Sequence, residues 1–162
     1  MMKVRDGQGA LKQSVPVYEL RRARRIPKVW GPCAAPEDAV RIAKVELKGL
    51  DRERLLALYL SAQNVVVGLE IIAIGAENSC AVTMTAIFRG AVVAGAKGII
   101  LAHNHPGGDP KSSEEDRGLL KKVKEAGVLL GCELVDFLII GDGDVSSDME
   151  SILGGLDEGK TA

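Results

Sequence analysis

Aromatic side chains are scarce in this sequence. The chain of 162 residues holds one Trp, two Tyr and two Phe, although apolar residues make up 46% of it. Its core must therefore be built mainly from Val, Ile, Leu and Ala. Cysteine is also rare, because Cys33, Cys80 and Cys132 form no Cys-x-x-Cys pair and leave one thiol unmatched. This usage favours a reducing compartment in which the thiols act as small buried apolar groups.

Long hydrophobic runs are absent too. No apolar stretch reaches the roughly 18 residues that a membrane-spanning helix requires. The first residues lack the charged and then apolar pattern of a secretory signal. Together with the cysteine usage, these features predict a cytoplasmic protein. A chain of 162 residues with 27% charged side chains is expected to form one globular domain that buries its own core.

Charge is unevenly distributed along the chain. The net charge is −1, but residues 1–30 hold 8 Lys or Arg against 2 acidic residues, whereas the remainder holds 13 against 20. A basic segment of this kind can neutralise phosphates and is a candidate nucleic-acid contact. A solvated arm, or one that pairs with the acidic body, is the favoured interpretation, because no stacking aromatic residues are interleaved apart from Trp30. The candidate residues are Arg21, Arg22, Arg24, Arg25 and Lys28.

Helical spacing and short apolar runs alternate along the chain. They predict a helix over 36–49, a strand over 55–60, a returning strand over 65–74, a helix over 82–94, a strand over 99–102, a helix over 113–126 that closes at Gly127, a strand over 132–140, and a short helix after the turn at 141–144. This alternation, with one hairpin, predicts an α/β sandwich in which the strand over 99–102 is central. We expect a basic, partly flexible arm over 1–30, one domain over 31–154 and a polar tail over 155–162.

The two histidines of the chain lie at the end of the predicted central strand. His103 and His105 are two residues apart, and such residues point to the same side of a strand, where both imidazoles can reach one metal ion. A turn rich in Pro and Gly follows, and then Ser113 and Asp116 have the spacing of a helix start. Two histidines, one carboxylate and an open fourth position make up a catalytic zinc site. The same residues also fit a simpler interpretation, in which Ser113 caps the helix and Asp116 favours its dipole.

The spacing His103-x-His105, seven residues, Ser113, two residues, Asp116 matches the motif of the JAMM (JAB/MPN) metalloproteases. The longer string Leu101-Ala-His-Asn-His-Pro-x-Gly-Asp-Pro resembles the RadC branch of that superfamily. The similarity runs from about residue 18 to about residue 150. It implies a JAB/MPN-like, cytidine-deaminase-like α-β-α sandwich around a mixed sheet. It also suggests a short form, without the helix-hairpin-helix segment that precedes this domain in longer RadC proteins.

The resemblance also assigns roles. It implies that zinc is held by His103, His105 and Asp116, that Glu53 before the first sheet strand acts as the base, and that Ser113 hydrogen-bonds the oxyanion. Glu70 is the alternative base, because a carboxylate inside an apolar strand suggests a functional reason. The expected function is zinc-dependent hydrolysis of a peptide or isopeptide bond in a protein or peptide substrate. The alternative is a non-catalytic DNA-maintenance module with a structural or relic metal site.

The sequence departs from the RadC pattern at two places near the expected site. Residues 84–86 are Met-Thr-Ala where the family usually has Pro-Arg-Glu, and Phe137 replaces a usual histidine after Asp136. Neither change removes a ligand. Both remove polar groups that would support the ligands or contact substrate.

Overall fold

The computed structural model describes residues 4–5, 11–12, 32–33, 35–75, 82–142 and 144–148. The basic residues from 21 to 28 and the tail over 155–162 lie outside these ranges. The helices and strands are β1 Val4–Arg5, β2 Leu11–Lys12, α1 Pro36–Leu47, β3 Arg54–Leu60, β4 Val66–Ile74, α2 Met84–Ala94, β5 Gly98–Asn104, α3 Glu114–Leu130, β6 Glu133–Ile140 and β7 Val145–Ser147. None of the described helices has the length and hydrophobicity needed to cross a bilayer.

Among the described residues, the main sheet has five strands in the order β4-β3-β5-β6-β7, and β1 and β2 form a separate two-stranded sheet. Strand β5 is parallel to β6 and antiparallel to β3, so the sheet is mixed. All seven residues of β5 are buried, because helices cover both faces of the sheet at this strand. The prediction that the histidine strand is central is confirmed.

Alternating side chains of the sheet build two separate apolar cores. Leu55, Ala57 and Tyr59 of β3 pack with α2 and α3 on one face. Leu56 and Leu58 pack with α1 on the other face. The predicted α-β-α sandwich is therefore confirmed. The buried apolar residues are predominantly aliphatic, as the shortage of aromatic residues requires.

The helices begin where the sequence places capping groups. Asp38 in the first turn of α1 accepts a hydrogen bond from the backbone N–H of Ala35. The hydroxyl of Thr83 accepts one from the N–H of Ala86 at the start of α2. Ser113 caps α3 and is described with the site below. These bonds satisfy backbone donors that have no partner within the helix.

Helix α3 is longer than the sequence predicts. It was expected to close at Gly127, but it continues to Leu130. Gly127 is needed inside the helix because a Cβ there would lie 2.6 Å from the carbonyl oxygen of Cys132, at the start of β6. Gly131, with a φ of 62°, supplies the left-handed residue that ends the helix. The predicted helix end at Gly127 is therefore wrong.

The short helix predicted after the turn at 141–144 does not begin directly after that turn, and residues 149–154 lie outside the described residues. Residues Val145–Ser147 form strand β7 instead, which pairs antiparallel with β6. The N–H of Gly141 donates to the carbonyl oxygen of Asp144 at 2.9 Å and reverses the chain. The returning chain thus meets the open edge of β6, whose unpaired backbone groups it satisfies.

Candidate metal centre

The two histidines lie at the carboxyl end of β5, on the face covered by α2 and α3. His103 pairs in register with Leu55, so its side chain shares the face of that residue. Its imidazole is buried, whereas that of His105 is half-buried. The ring centroids are 4.4 Å apart and the rings are nearly perpendicular, at 80°. The predicted convergence of the two imidazoles is therefore present in the structure.

The backbone after β5 fixes His105. Its N–H donates to the carbonyl oxygen of Ile140 at 2.9 Å, which extends the pairing with β6. Its ring Nδ1 lies 2.6 Å from the carbonyl oxygen of Asp109. A carbonyl can only accept, so Nδ1 carries the proton, and Nε2 of the neutral ring keeps a free lone pair.

His103 is oriented in the same way by a carboxylate. Its Nδ1 lies 3.0 Å from Oε1 of Glu53, an acceptor, so this nitrogen also carries the proton. Its Nε2 is buried and has no hydrogen-bond partner among the described residues. Burying a polar atom without a partner costs free energy, and a histidine that donates through one nitrogen commonly binds a metal through the other. This unsatisfied atom fits a metal ligand.

Asp116 brings a carboxylate to both Nε2 atoms from the first turn of α3. Its Oδ1 lies 3.5 Å from Nε2 of His103, and its Oδ2 lies 3.9 Å from Nε2 of His105. Ligands at about 2.0–2.1 Å from a tetrahedral zinc ion would be separated by about 3.4 Å. The distances from Asp116 to the two imidazole nitrogens are thus close to the separation of two ligands on one metal ion.

Ser113 holds Asp116 in place through a reciprocal cap. The N–H and the hydroxyl of Ser113 both donate to Oδ2 of Asp116 at 2.7 Å. In return, the N–H of Asp116 donates to the Ser113 oxygen at 3.1 Å. The helix-cap and metal-ligand interpretations of Ser113 and Asp116 are therefore compatible, because the hydrogen bonds of the cap also orient the carboxylate of Asp116 toward the histidines.

Electrostatics favour the ligand form of His103. Burial lowers the pKa of His103 below its usual value of 6.5, and this effect outweighs the opposing attraction of Asp116 and the hydrogen bond to Glu53. The ring therefore stays neutral at neutral pH. A neutral imidazole is the form that binds a metal.

Glu53 lies just before β3 and contacts the imidazole of His103. Its side chain is 53% exposed. One oxygen of Glu53 and one nitrogen from each histidine lie within 4.8 Å of one another, and these three residues form a possible metal-binding group. Glu53 thus contacts His103 at Nδ1, the ring nitrogen that does not face Asp116, and is also open to solvent.

Glu70 is held in a different place. It accepts hydrogen bonds from the hydroxyl of Tyr59 and from the guanidinium of Arg89. Burial, followed by the charge of Glu70, raises the pKa of Tyr59. Glu70 pairs with Ala57 on the edge strand β4, two strands and two residues away from His103. Strand spacings put their Cα atoms about 12 Å apart. The structure gives Glu70 an ion pair with α2 and does not bring it to the histidines.

Two further residues lie next to the site: Phe137, a departure from the family pattern already evident in the sequence, and Asn104, for which the sequence predicted no role. The ring of Phe137 lies 5.1 Å from that of His103, and its side chain is fully buried. Asn104 is buried on the opposite face of β5 and hydrogen-bonds the chain on both sides of Glu53. The sequence contained one signal that could have pointed to Asn104, namely a polar side chain at the end of an otherwise apolar strand. The Met-Thr-Ala segment forms the first turn of α2.

A histidine pair flanked by two carboxylates, at the end of the central strand of an α-β-α sandwich, defines an α/β domain with a possible metal centre. The sequence model of the RadC-like JAB domain matches residues 33–152. The chain belongs to this family.

Curated relatives agree with this assignment. The chain is similar to a UPF0758 protein of Shouchella clausii, with 36% identity over 135 residues, which cover 83% of this chain and 59% of the relative. It is 43% identical to one of Desulforamulus reducens over 112 residues, 69% of this chain and 49% of the relative. Another, of Carboxydothermus hydrogenoformans, is 35% identical over 145 residues, 87% of this chain and 64% of the relative. The chain thus spans about half to two thirds of the length of these relatives.

Proposed function

We propose that this chain is a zinc-dependent hydrolase that cleaves a peptide or isopeptide bond. The observation that carries the proposal is the buried Nε2 of His103, which has no hydrogen-bond partner among the described residues and faces Asp116 at 3.5 Å. His105 places a second imidazole nitrogen, Nε2, 3.9 Å from the same carboxylate. Membership of the RadC-like JAB family supports the reaction class, since the superfamily includes metalloproteases.

His103, His105 and Asp116 would hold the metal. Imidazole nitrogens with one carboxylate are a ligand set that suits zinc, and three protein ligands leave a position open. Zinc in such a set lowers the pKa of a bound water and polarises a carbonyl group. The two Nδ1–H bonds, to Glu53 and to the Asp109 carbonyl, keep both imidazoles in the orientation and tautomer that ligation needs.

Glu53 would move the proton in this reaction. Its half-exposed carboxylate can take a proton from the attacking water and pass it to the leaving amine. In the structure its Oε1 accepts from Nδ1 of His103, so the same side chain also orients a ligand. The assignment of Glu53 over Glu70 rests on this proximity, because Tyr59 and Arg89 engage Glu70 elsewhere.

The role of Ser113 as an oxyanion donor stays a prediction. Its hydroxyl has one proton, which it donates to Oδ2 of Asp116. To stabilise an oxyanion, the hydroxyl would have to rotate away from that carboxylate. What supports a contribution of Ser113 in either case is its hold on Asp116.

Substrate and location belong to the proposal as well. We propose a protein or peptide substrate, as the reaction class implies, and a cytoplasmic location, which the buried free thiols of Cys33 and Cys132 favour. A DNA-maintenance module remains the alternative from the sequence. It depends on Arg21, Arg22, Arg24, Arg25 and Lys28, which lie outside the described residues.

Metal analysis tests the proposal. We expect about one zinc ion per chain in the purified wild type, and almost none in His103→Ala and Asp116→Ala, because each variant removes a ligand. Glu70→Gln serves as the matched control, since it changes a carboxylate on the same face of the sheet without touching the histidines. A folded wild type that takes up no zinc at micromolar supply would refute the hydrolase.

A further inference from the structure

We propose that Asn104 is a positioning residue, which holds Glu53 against His103 by clamping the backbone on both sides of it. The inference rests on the proposed function, because the placement of Glu53 matters chemically only if the histidines bind a metal. The geometry of the clamp is independent of that function and can be tested without metal.

The carboxamide of Asn104 uses both of its polar atoms on the chain that carries Glu53. Its Oδ1 accepts from the N–H of Arg54 at 2.9 Å, and its Nδ2 donates to the carbonyl oxygen of Arg52 at 3.0 Å. These two bonds bracket Glu53. Asn104 is only 4% exposed, so water competes little for them.

Backbone hydrogen bonds between β3 and β5 cannot hold residues 52–54 in place, because the pairing of these strands ends before them. The pairing of β3 with β5 ends at Leu55 and His103. Beyond that point the chain of β5 turns to β6, because the N–H of His105 donates to the carbonyl oxygen of Ile140. The Asn104 side chain thus extends the hydrogen bonding of β3 past the last backbone pair.

A second contact holds Glu53 from the β4 side. The N–H of Gly75 donates to the carbonyl oxygen of Glu53 at 2.6 Å. A Cβ on Gly75 would lie 3.0 Å from Cβ of Glu53 and 3.2 Å from its carbonyl oxygen. This close approach favours glycine. Three consecutive residues, Arg52 to Arg54, are therefore each fixed by one hydrogen bond from a neighbouring strand end.

The clamp compensates for the exposure of Glu53. An exposed carboxylate on a free loop samples many rotamers and backbone states, and ordering it against one acceptor or donor costs entropy. With its backbone fixed, Glu53 keeps Oε1 at 3.0 Å from Nδ1 of His103 although half of the side chain is exposed. Two adjacent residues of β5 therefore contact different parts of the segment around Glu53. His103 contacts the Glu53 side chain, and Asn104 contacts its backbone.

The first test measures the Nδ1–H of His103 in metal-free protein by NMR at constant pH. In wild type this proton is bonded to Glu53 and should exchange slowly with water, and Glu53→Ala should abolish that protection. Asn104→Ala should speed the exchange about tenfold or more, through loss of two buried hydrogen bonds that order Glu53. Gly75→Ala should act in the same direction through the other side of the clamp.

Ser61→Ala is the matched control. The Ser61 oxygen accepts from the N–H groups of Gln63 and Val65, so this variant also removes two side-chain-to-backbone bonds, at the opposite end of β3. It should leave the exchange of the His103 proton unchanged. Wild-type protection in folded Asn104→Ala, or equal loss in Ser61→Ala, would overturn the positioning role. If Asn104→Ala does not fold, Gly75→Ala decides in its place.

The second test measures zinc affinity in a double-mutant cycle. Loss of a group that orients a ligand typically weakens metal binding about 10- to 100-fold. If Asn104 acts through Glu53, Asn104→Ala should weaken zinc binding in the wild-type background and have no further effect in the Glu53→Ala background. Additive effects would contradict the proposal. A wild type that binds no zinc would defeat the proposed hydrolase, while the proton-exchange result would still decide the clamp.

Discussion

Oδ1 of Asp116 lies 3.5 Å from Nε2 of His103, in a site where that nitrogen has no hydrogen-bond partner among the described residues. The carboxylate reaches this position because two donors of Ser113 fix its other oxygen. One helix cap thereby serves folding and, in the proposed function, ligand geometry. The first prediction separates these two contributions.

Ser113→Ala should lower both stability and metal affinity. Loss of a helix cap typically costs about 1 kcal/mol in the free energy of unfolding. Asp116, then held by the backbone N–H of residue 113 alone, should bind zinc more weakly. Thr83→Ala removes the cap of α2 and should cost similar stability with no change in zinc affinity. Denaturant unfolding and a zinc titration measure the two quantities. Equal zinc affinity in both variants would show that the cap does not aim the ligand.

Glu53→Gln should retain zinc and lose hydrolysis. General base catalysis contributes about 10²- to 10⁴-fold to rate, and the neutral amide cannot take the proton. Glu70→Gln should leave the rate near that of wild type, because Glu70 is engaged by Tyr59 and Arg89. The measurement is the rate of cleavage of isopeptide-linked model substrates, with zinc content determined for each variant. If the Glu70→Gln variant cleaved substrate slowly while the Glu53→Gln variant kept the wild-type rate, the base would be Glu70 and not Glu53.

The metal-free protein should lose stability as the pH falls below 6.5. The ordinary pKa of histidine is 6.5, and burial lowers the pKa of His103 below this value in the folded state. As the pH falls below 6.5, the unfolded chain therefore binds this proton more readily than the folded chain does. Stability from this group is therefore complete above pH 6.5 and declines as the pH falls toward the lowered folded value. The slope from one such group is at most about 1.4 kcal/mol per pH unit. Denaturant unfolding from pH 8 to pH 5 should show a shallower decline in His103→Gln, and equal declines would contradict the prediction.

Two glycines of α3 should respond oppositely to alanine. Gly118→Ala places a methyl group where no atom lies within 4 Å, and it should raise the free energy of unfolding by about 0.5–1 kcal/mol through helix propensity. Gly127→Ala should lower it by about 1–3 kcal/mol, because the added Cβ meets the carbonyl oxygen of Cys132. Thermal or denaturant unfolding of both variants measures the difference. Stabilisation by both would show that the start of β6 yields to the methyl group.

Local signals made part of this structure predictable. Pro36 and Ser113 mark helix starts that depend on nearby residues only, and His103 and Asp116 share one strand-loop-helix unit. The pattern of residues therefore contains the histidine-carboxylate arrangement. Glu53, by contrast, meets His103 across 50 residues of sequence, and only the resemblance to a known family pointed to it.

The remaining features depend on contacts between distant parts of the chain. Gly127 lies inside α3 because of the approach of a carbonyl group from β6, which no helical pattern records. Strand β7 forms because the edge of β6 is available to it. The clamp by Asn104 exists because backbone pairing stops one residue earlier. Glu70 illustrates the same dependence, since the structure gives this carboxylate within an apolar strand an ion pair with Arg89 of α2.

The separation between the ligands and Glu53 has a consequence for the order of folding. The three candidate ligands lie within one contiguous segment, whose contacts have low contact order and can form early. The contact with Glu53 requires closure of a long loop and docking of β3, which we expect later. If the proposed function holds, we expect metal binding to precede the contact between Glu53 and His103 during refolding. Stopped-flow refolding with a zinc indicator would resolve the two phases.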